Sequence, residues 1–137
     1  MHDTAPMAEA AAWLAGLAEA LDQRDIDAVL GQFAADCYWR DFLSFSWNIK
    51  TFEGPDQIRA MLTATLAATA PRNWQVTSAT GFRGRVEGWF SFETEAGTGE
   101  GIFRLEDGKC RTILTTLQSL RGHEEPLRAT RPMGVRH

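Results

Sequence analysis

The second half of the chain restricts the fold most, because it consists of short apolar segments divided by glycine-containing turns. Strand candidates cover residues 74–80, 84–94, 99–106 and 110–120. Turn residues lie at 81–84 and 97–99, and Asp107-Gly108 is a typical two-residue hairpin turn. Consecutive strands with such short connections predict an antiparallel sheet, which must bury at least one of its faces.

Three helical segments and one short strand candidate come before this sheet. Residues 6–23 are rich in alanine and carry leucines at helical spacing. Asp25 predicts the N-cap of a second helix, whose apolar stripe continues to Phe33 and which we expect to end near residue 36. The strand candidate covers residues 37–41. A third helix has Pro55 in its first turn and ends before residue 71.

Helices followed by strands predict an α+β fold in which three helices pack on one sheet. The sheet has to curve strongly to cover three apolar helix stripes. A strongly curved antiparallel sheet covered by helices predicts a cone-shaped domain that encloses a pocket.

The alternation of side chains along the strands assigns them to two faces. Polar positions of the segment 84–94 alternate with Gly88, Phe90 and Phe92, so one face is buried and the other is wet. The outward positions of the strands include Trp89, Arg104, Leu114 and Thr116. A large aromatic side chain such as Trp89 among polar neighbours predicts a homodimer formed through the outer sheet face.

The inward positions predict the wall of the pocket. Gly88 and Gly101 leave space beside them, and the segment around Phe45 and Trp47 is placed at the mouth. We therefore expect a small apolar or aromatic molecule as ligand; the alternative is that aromatic side chains fill the core and leave no cavity. The candidate ligand-binding residues are Trp39, Phe45, Trp47, Phe90, Phe92, Phe103, Ile113, Thr115 and Leu117.

Composition excludes several classes of function. The net charge of −4 provides no basic field for nucleic acid, and the sequence contains no apolar run long enough to span a membrane. Two widely spaced cysteines and the lack of a secretory signal pattern predict a cytoplasmic protein. We expect one domain over residues 1–121, followed by an extended or disordered tail over 122–137 that is rich in arginine and proline.

The order of elements resembles the nuclear-transport-factor-2-like (NTF2-like) superfamily, which includes polyketide cyclases and ketosteroid isomerases. The segments Phe33–Asp41 and Gly54–Leu62, followed by four strands, carry this resemblance, which covers about residues 7–121. It implies the same cone-shaped fold. A fold shared by many chemistries says little about which reaction, if any, is catalysed.

Asp41 is the candidate catalytic residue, because the resemblance places it at the position of the isomerases' carboxylate general base. A carboxyl group beside Trp39 in a poorly hydrated cavity would suit proton transfer. The alternative is that Asp41 pairs with Arg40, with Arg104 or with a backbone amide. An epoxide-hydrolase-like site with Arg104 is disfavoured, because strand alternation puts that arginine on the outer face.

The resemblance also argues against steroid isomerase chemistry. Those enzymes stabilise the enolate with a tyrosine and a protonated aspartic acid, and Leu17 and Gly101 occupy these positions here. Neither residue carries a side-chain donor. Polyketide-cyclase-like chemistry, which needs one positioned acid or base and a shaped pocket, remains open.

A narrower resemblance links the chain to the domain that precedes some bacterial flavin-containing monooxygenase-like proteins. The segments that carry it are Tyr38–Leu43, Trp47–Asn48, Gly101–Leu105, Thr112–Glu125 and Arg131–Gly134. It implies a non-catalytic accessory or dimerisation module, with a separate flavoprotein as a possible partner. The sequence has no Gly-x-Gly-x-x-Gly motif, and adjacent His123 and Glu124 cannot converge on one ion, so we expect neither a cofactor nor a metal.

Overall fold

The computed structural model describes residues 4–46 and 48–120, which form three helices and one six-stranded sheet. The α+β prediction is therefore confirmed. Trp47 and the predicted tail, residues 122–137, lie outside the described residues. The helices are α1 (Thr4–Asp22), α2 (Ile26–Leu30) and α3 (Gly54–Thr69). The strands are β1 (Phe33–Phe42), β2 (Ile49–Glu53), β3 (Arg72–Phe82), β4 (Arg85–Glu93), β5 (Gly97–Glu106) and β6 (Lys109–Leu120).

The sheet is open and has the strand order β2-β1-β6-β5-β4-β3. Strands β3 to β6 form an antiparallel meander, as predicted, but β1 and β6 are parallel, so the expectation of a fully antiparallel sheet is wrong. The parallel pair arises because β2, α3 and three strands intervene before β6 returns to lie beside β1. The long connection makes the parallel arrangement possible.

The second helix is shorter than predicted. Asp25 is its N-cap, as expected, and accepts a hydrogen bond from the backbone N–H of Ala28 at 3.1 Å. The helix ends at Leu30 with Gly31 as its C-cap, and Phe33 already belongs to β1, where it pairs with Cys110. A buried phenylalanine satisfies a helix stripe and a strand equally well, so periodicity did not separate the two.

Strand β2 lies in a segment for which the sequence shows no periodicity. It pairs antiparallel with β1 at the edge of the sheet, and of its five residues only Phe52 is buried. An edge strand that buries one side chain carries no alternation, which is why the sequence pattern did not reveal it.

The helices cover one face of the sheet, here called the inner face. Helix α1 packs on β3 and β4, α3 packs on β1 and β2, and α2 contacts the two other helices. Residues such as Leu17, Leu62 and Ile113 form a single buried core between the helices and this face. Among the described residues, no helix is both long and apolar enough to cross a membrane.

Phenylalanine rings fill the space that glycines leave on the inner face, which corrects the expectation that Gly88 and Gly101 open a cavity. A Cβ atom built on Gly88 would lie 2.6 Å from the ring of Phe103, the residue directly opposite. The missing Cβ is therefore a seat for a ring from the neighbouring strand. Three such pairs join β4 and β5: Phe103 over Gly88, Phe90 over Gly101 and Phe92 over Gly99.

We predict that Gly88→Ala lowers the free energy of unfolding by about 1–3 kcal/mol, because the added methyl group displaces a fully buried ring. Urea denaturation measures the loss. Gly31→Ala is the control, since Gly31 has φ −64 and its added Cβ would come no closer than 3.4 Å to any atom. Its effect should stay within about 0.5 kcal/mol. Equal stability of Gly88→Ala and the wild type would contradict the packing of the Phe103 ring on Gly88.

Candidate functional site

Asp41 lies on the inner face near the end of β1, with no exposed surface. Its Oδ1 accepts hydrogen bonds from the hydroxyl groups of Ser44 at 2.5 Å and Thr115 at 2.6 Å. Its Oδ2 accepts from the backbone N–H of Phe45 at 2.9 Å, and from the N–H and hydroxyl of Ser46 at 2.7 and 2.9 Å. A carboxylate offers about four lone-pair positions, so these donors use its full acceptor capacity.

The donors on the chain after β1 belong to a tight turn, residues 43–46, which we call the Asp41 loop. Leu43 opens the turn with φ 71, a left-handed conformation that a leucine rarely adopts. Its backbone N–H donates to the carbonyl oxygen of Asn48 at 3.0 Å. Strained residues persist only where their surroundings over-determine them, and the bonds to Asp41 supply that constraint.

A buried polar chain connects the same carboxylate to the middle of the sheet. The indole N–H of Trp39 donates to the hydroxyl oxygen of Thr115 at 2.9 Å, and that hydroxyl donates to Asp41. All three side chains have no exposed surface. Both donors of this hydrogen-bond chain, the Trp39 indole and the Thr115 hydroxyl, have an acceptor. The network therefore fixes the relative positions of β1 and β6.

The geometry gives Asp41 a clear positioning function, while its catalytic role stays a prediction. Among the alternative partners proposed for Asp41, the backbone amide is the one observed, since the carboxylate accepts from two backbone N–H groups. Arg104 lies on the outer face, beside Glu87. The five hydrogen bonds to the carboxylate occupy its lone pairs and leave none to accept a proton from a substrate. Acid–base chemistry at Asp41 would require the Asp41 loop to release at least one oxygen.

Aromatic rings run from the Asp41 loop to the opposite edge of the sheet. Phe45 packs edge-on against Trp39 with ring centroids 5.2 Å apart, and its other neighbour is Phe92 at 6.3 Å. Phe92 stacks on Trp74, an inner-face residue of the edge strand β3, at 4.6 Å and 12°. We call Phe45, Phe92 and Trp74 the aromatic run. It crosses the inner face from one side to the other.

The predicted ligand-binding residues fall into two groups. Phe45 and Thr115 contact Asp41 and Phe92 packs against Phe45, whereas Phe103 packs on Trp13 at 4.5 Å, toward α1. Trp47 lies outside the described residues. All eight predicted wall residues within the described part of the chain are buried and at most 3% exposed: Trp39, Phe45, Phe90, Phe92, Phe103, Ile113, Thr115 and Leu117.

Trp74 is the site residue that sequence reasoning missed. Its ring is half-buried, but the indole nitrogen is buried and has no hydrogen-bond partner within the described part of the chain. The one signal in the sequence was an aromatic residue at the start of a strand. Regular alternation gave no indication that its N–H would be left without an acceptor.

The two cysteines are buried thiols. Burial raises the pKa of the Cys110 thiol well above its ordinary value, and the neighbouring Cys37 thiol raises it further. Burial also raises the pKa of Cys37, with a further contribution from Asp36. Raised pKa values favour the protonated thiols, so neither cysteine has the lowered pKa of an activated nucleophile.

The outer face carries an apolar stripe formed by Trp89, Ile102 and Leu114. These three half-buried residues are directly opposite one another on β4, β5 and β6. Two shallow grooves of about 370 and 380 Å³ share Ile102 and Leu114 and together follow the stripe. The outward orientation predicted for Trp89 and Leu114 agrees with this arrangement.

Comparison with known proteins supports the resemblance at the level of the superfamily. The SnoaL-like domain matches residues 14–113. A search among curated proteins finds no match. The narrower resemblance to the flavin-monooxygenase-associated domain stays a prediction.

Solved structures share this fold at low sequence identity. An NTF2-like protein with a cystatin-like fold from Novosphingobium aromaticivorans is 13% identical with a TM-score of 0.65, over 88% of this chain and 86% of that chain. A protein of unknown function from Nostoc punctiforme is 18% identical with a TM-score of 0.64, over 88% and 94%. TerC, co-crystallised with polyporic acid, is 15% identical with a TM-score of 0.58, over 77% and 88%.

We predict that Asp41→Ala destabilises the chain by about 3 kcal/mol or more, because it leaves several buried donors without an acceptor. Asp41→Asn retains one carbonyl oxygen and should fall between this variant and the wild type. Chemical denaturation measures stability, and amide hydrogen exchange should show lost protection at Phe45 and Ser46. Asp22→Asn, at an exposed helix end, is the matched control and should change stability by less than about 0.5 kcal/mol.

Unchanged hydrogen exchange in the Asp41 loop of Asp41→Asn would contradict the positioning role, whatever the effect of the substitution on global stability.

Proposed function

The chain belongs to the SnoaL-like domain family, and we propose that it binds a planar, largely apolar small molecule on the inner face, against the aromatic run of Phe45, Phe92 and Trp74. The aromatic run is the observation that carries this proposal. Small-molecule sites are lined mainly by aromatic and apolar side chains and contain a few fixed polar groups. Here the fixed groups are the Asp41 carboxylate and the Thr115 hydroxyl.

The position of the aromatic run supports access from the edge of the sheet. Trp74 is half-buried on the edge strand β3, whereas Phe45 and Phe92 are buried behind it. A flat ligand that entered alongside the half-buried Trp74 ring would gain an aromatic contact there. Aromatic pairs contribute about 0.5–1.5 kcal/mol beyond the area that they bury.

Within this proposal, Asp41 shapes the wall of the site. By holding the Asp41 loop, the carboxylate fixes the position of Phe45 and therefore the first ring of the aromatic run. Acid–base catalysis by Asp41 is the finer form of the proposal. A substrate that replaced Ser44 or Ser46 as hydrogen-bond donor would bring its own proton next to the carboxylate.

A neighbour with the same fold lends support, since TerC was co-crystallised with polyporic acid. That observation belongs to TerC, which shares 15% of its sequence with this chain. It supports the choice of a small molecule, rather than a macromolecule, as the first class of ligand to test.

We predict that 2-acetylnaphthalene binds saturably with a Kd of about 1 mM or tighter, the value that ordinary ligand efficiency gives for its 13 or so heavy atoms. Amide chemical shifts in a titration should change around Phe45, Phe92 and Trp74. Phe45→Leu should weaken binding roughly threefold or more by removing one aromatic contact. Phe82→Leu, which alters an exposed ring at the end of β3, should leave the Kd unchanged.

The absence of saturation up to the solubility limit would overturn the proposal. Shifts confined to the outer stripe would overturn it too, because they would place the molecule on the opposite face of the sheet.

The outer stripe favours a second candidate function, an accessory or dimerisation module. A two-fold axis through Ile102 would place the stripe of one copy against the same stripe of another, as isologous interfaces do. A flavoprotein as an alternative partner remains a proposal of the narrower resemblance, and a cytoplasmic setting remains a proposal from the cysteine usage. This module would need no chemistry at Asp41, and the two candidate functions use opposite faces of one sheet.

We predict that the chain sediments as a dimer and that Trp89→Glu makes it monomeric, because a charge in the centre of an apolar interface is left unpaired. Sedimentation equilibrium gives the mass. Phe82→Glu places the same charge on an exposed aromatic residue away from the stripe and should remain dimeric. A wild-type monomer at all concentrations, or equal dissociation of both variants, would contradict the dimer.

A further inference from the structure

We propose that Trp74 selects the ligand, by donating its indole N–H to a carbonyl or similar neutral oxygen of a planar aromatic molecule. This inference rests on the proposed function and names the chemical class that the site prefers. Its starting point is the buried indole nitrogen, which has no partner among the described residues. A buried donor without an acceptor costs about 1–3 kcal/mol, so a ligand oxygen that accepted from it would recover that cost.

The backbone around Trp74 is specialised to present this ring. Arg72 pairs with Glu93 and Gln75 with Ser91, so two residues of β3 oppose the single residue Phe92. Asn73, the first residue of this bulge, has φ 56. Bulges re-aim side chains and are common next to binding sites. The bulge turns Trp74 onto the inner face, where its ring stacks on Phe92.

The surroundings of the indole define the ligand further. The ring of Trp74 lies 5.8 Å from Phe90 and stacks on Phe92 at 4.6 Å, so the surroundings of the indole are aromatic. The fully buried polar residues of the described chain include Asp41 and no lysine or arginine. An anionic ligand would find no buried counter-charge, which favours a neutral oxygen as acceptor.

A second side-chain nitrogen, Nε2 of Gln118 on the outer face, is also buried and has no partner in the described part of the chain. An amide can rotate by 180° and present its oxygen instead, so this nitrogen carries no comparable information. The indole has one donor in one direction and no such freedom. The unpaired N–H of Trp74 is therefore a property of the backbone and the stacking that hold the ring.

The experiment compares 2-acetylnaphthalene with 2-ethylnaphthalene, two molecules of nearly equal shape of which only the first has a carbonyl oxygen. Equilibrium dialysis gives both Kd values for the wild type and for Trp74→Phe, which keeps an aromatic ring and loses the N–H. The wild type should bind the ketone about five- to tenfold more tightly, the effect of one net hydrogen bond. Trp74→Phe should reduce the preference to less than about twofold.

Trp13→Phe is the matched control, since the indole N–H of Trp13 already donates to the carbonyl oxygen of Gln32 at 3.0 Å. This variant should keep the wild-type preference for the ketone. A second measurement needs no variant: the ketone should shift the Trp74 indole proton resonance downfield, and the hydrocarbon should not. The resonance is assigned through its contacts with the Phe92 ring.

The outcomes separate the two proposals. If both probes bind the wild type with equal affinity, or if Trp74→Phe keeps the preference, Trp74 does not select the ligand although the chain does bind aromatic molecules. If neither probe binds the wild type, the selection by Trp74 and the proposed function are both wrong.

Discussion

A buried carboxylate needs donors for its charge, and in this chain that requirement determines how β1, the Asp41 loop and β6 fit together. Asp41 receives hydrogen bonds from the turn that follows it and from Thr115 of the parallel neighbour strand. The same bonds compensate the left-handed backbone at Leu43 and place Phe45 against the core. Removal of the carboxylate would therefore disturb the turn, the strand pairing and the first ring of the aromatic run together.

The inner face is otherwise built from aromatic rings seated on glycines, and it has two ends of different character. Toward α1, Phe103 packs on Trp13, and the indole N–H of Trp13 donates to the carbonyl oxygen of Gln32. Toward the edge strand β3, the aromatic run ends at Trp74, whose buried N–H has no partner among the residues that the structure describes. The first end stabilises the fold, and the second end has both the apolar surface and the unused polar group that a ligand site requires.

Much of the fold could be predicted from local patterns in the sequence. The Asp107-Gly108 turn has φ 52 and 81, as its residue types demand, and Asp25 caps the second helix. The patterns failed where one residue type serves two structures. Phe33 fitted a helix stripe and a strand, and Gly88 could mean empty space or a seat for Phe103. The direction of the Trp74 ring depends on a bulge that alternation does not reveal.

A crystal structure of the chain grown with 2-acetylnaphthalene tests the central claim most directly, because it shows which face of the sheet the molecule occupies and what it touches. The account predicts the naphthalene rings against Phe92 and the ketone oxygen within about 2.7–3.2 Å of the Trp74 indole nitrogen. Asp41 should keep its hold on the Asp41 loop. An inner face identical to the ligand-free one, with the molecule on the stripe of Trp89, Ile102 and Leu114, would contradict the account.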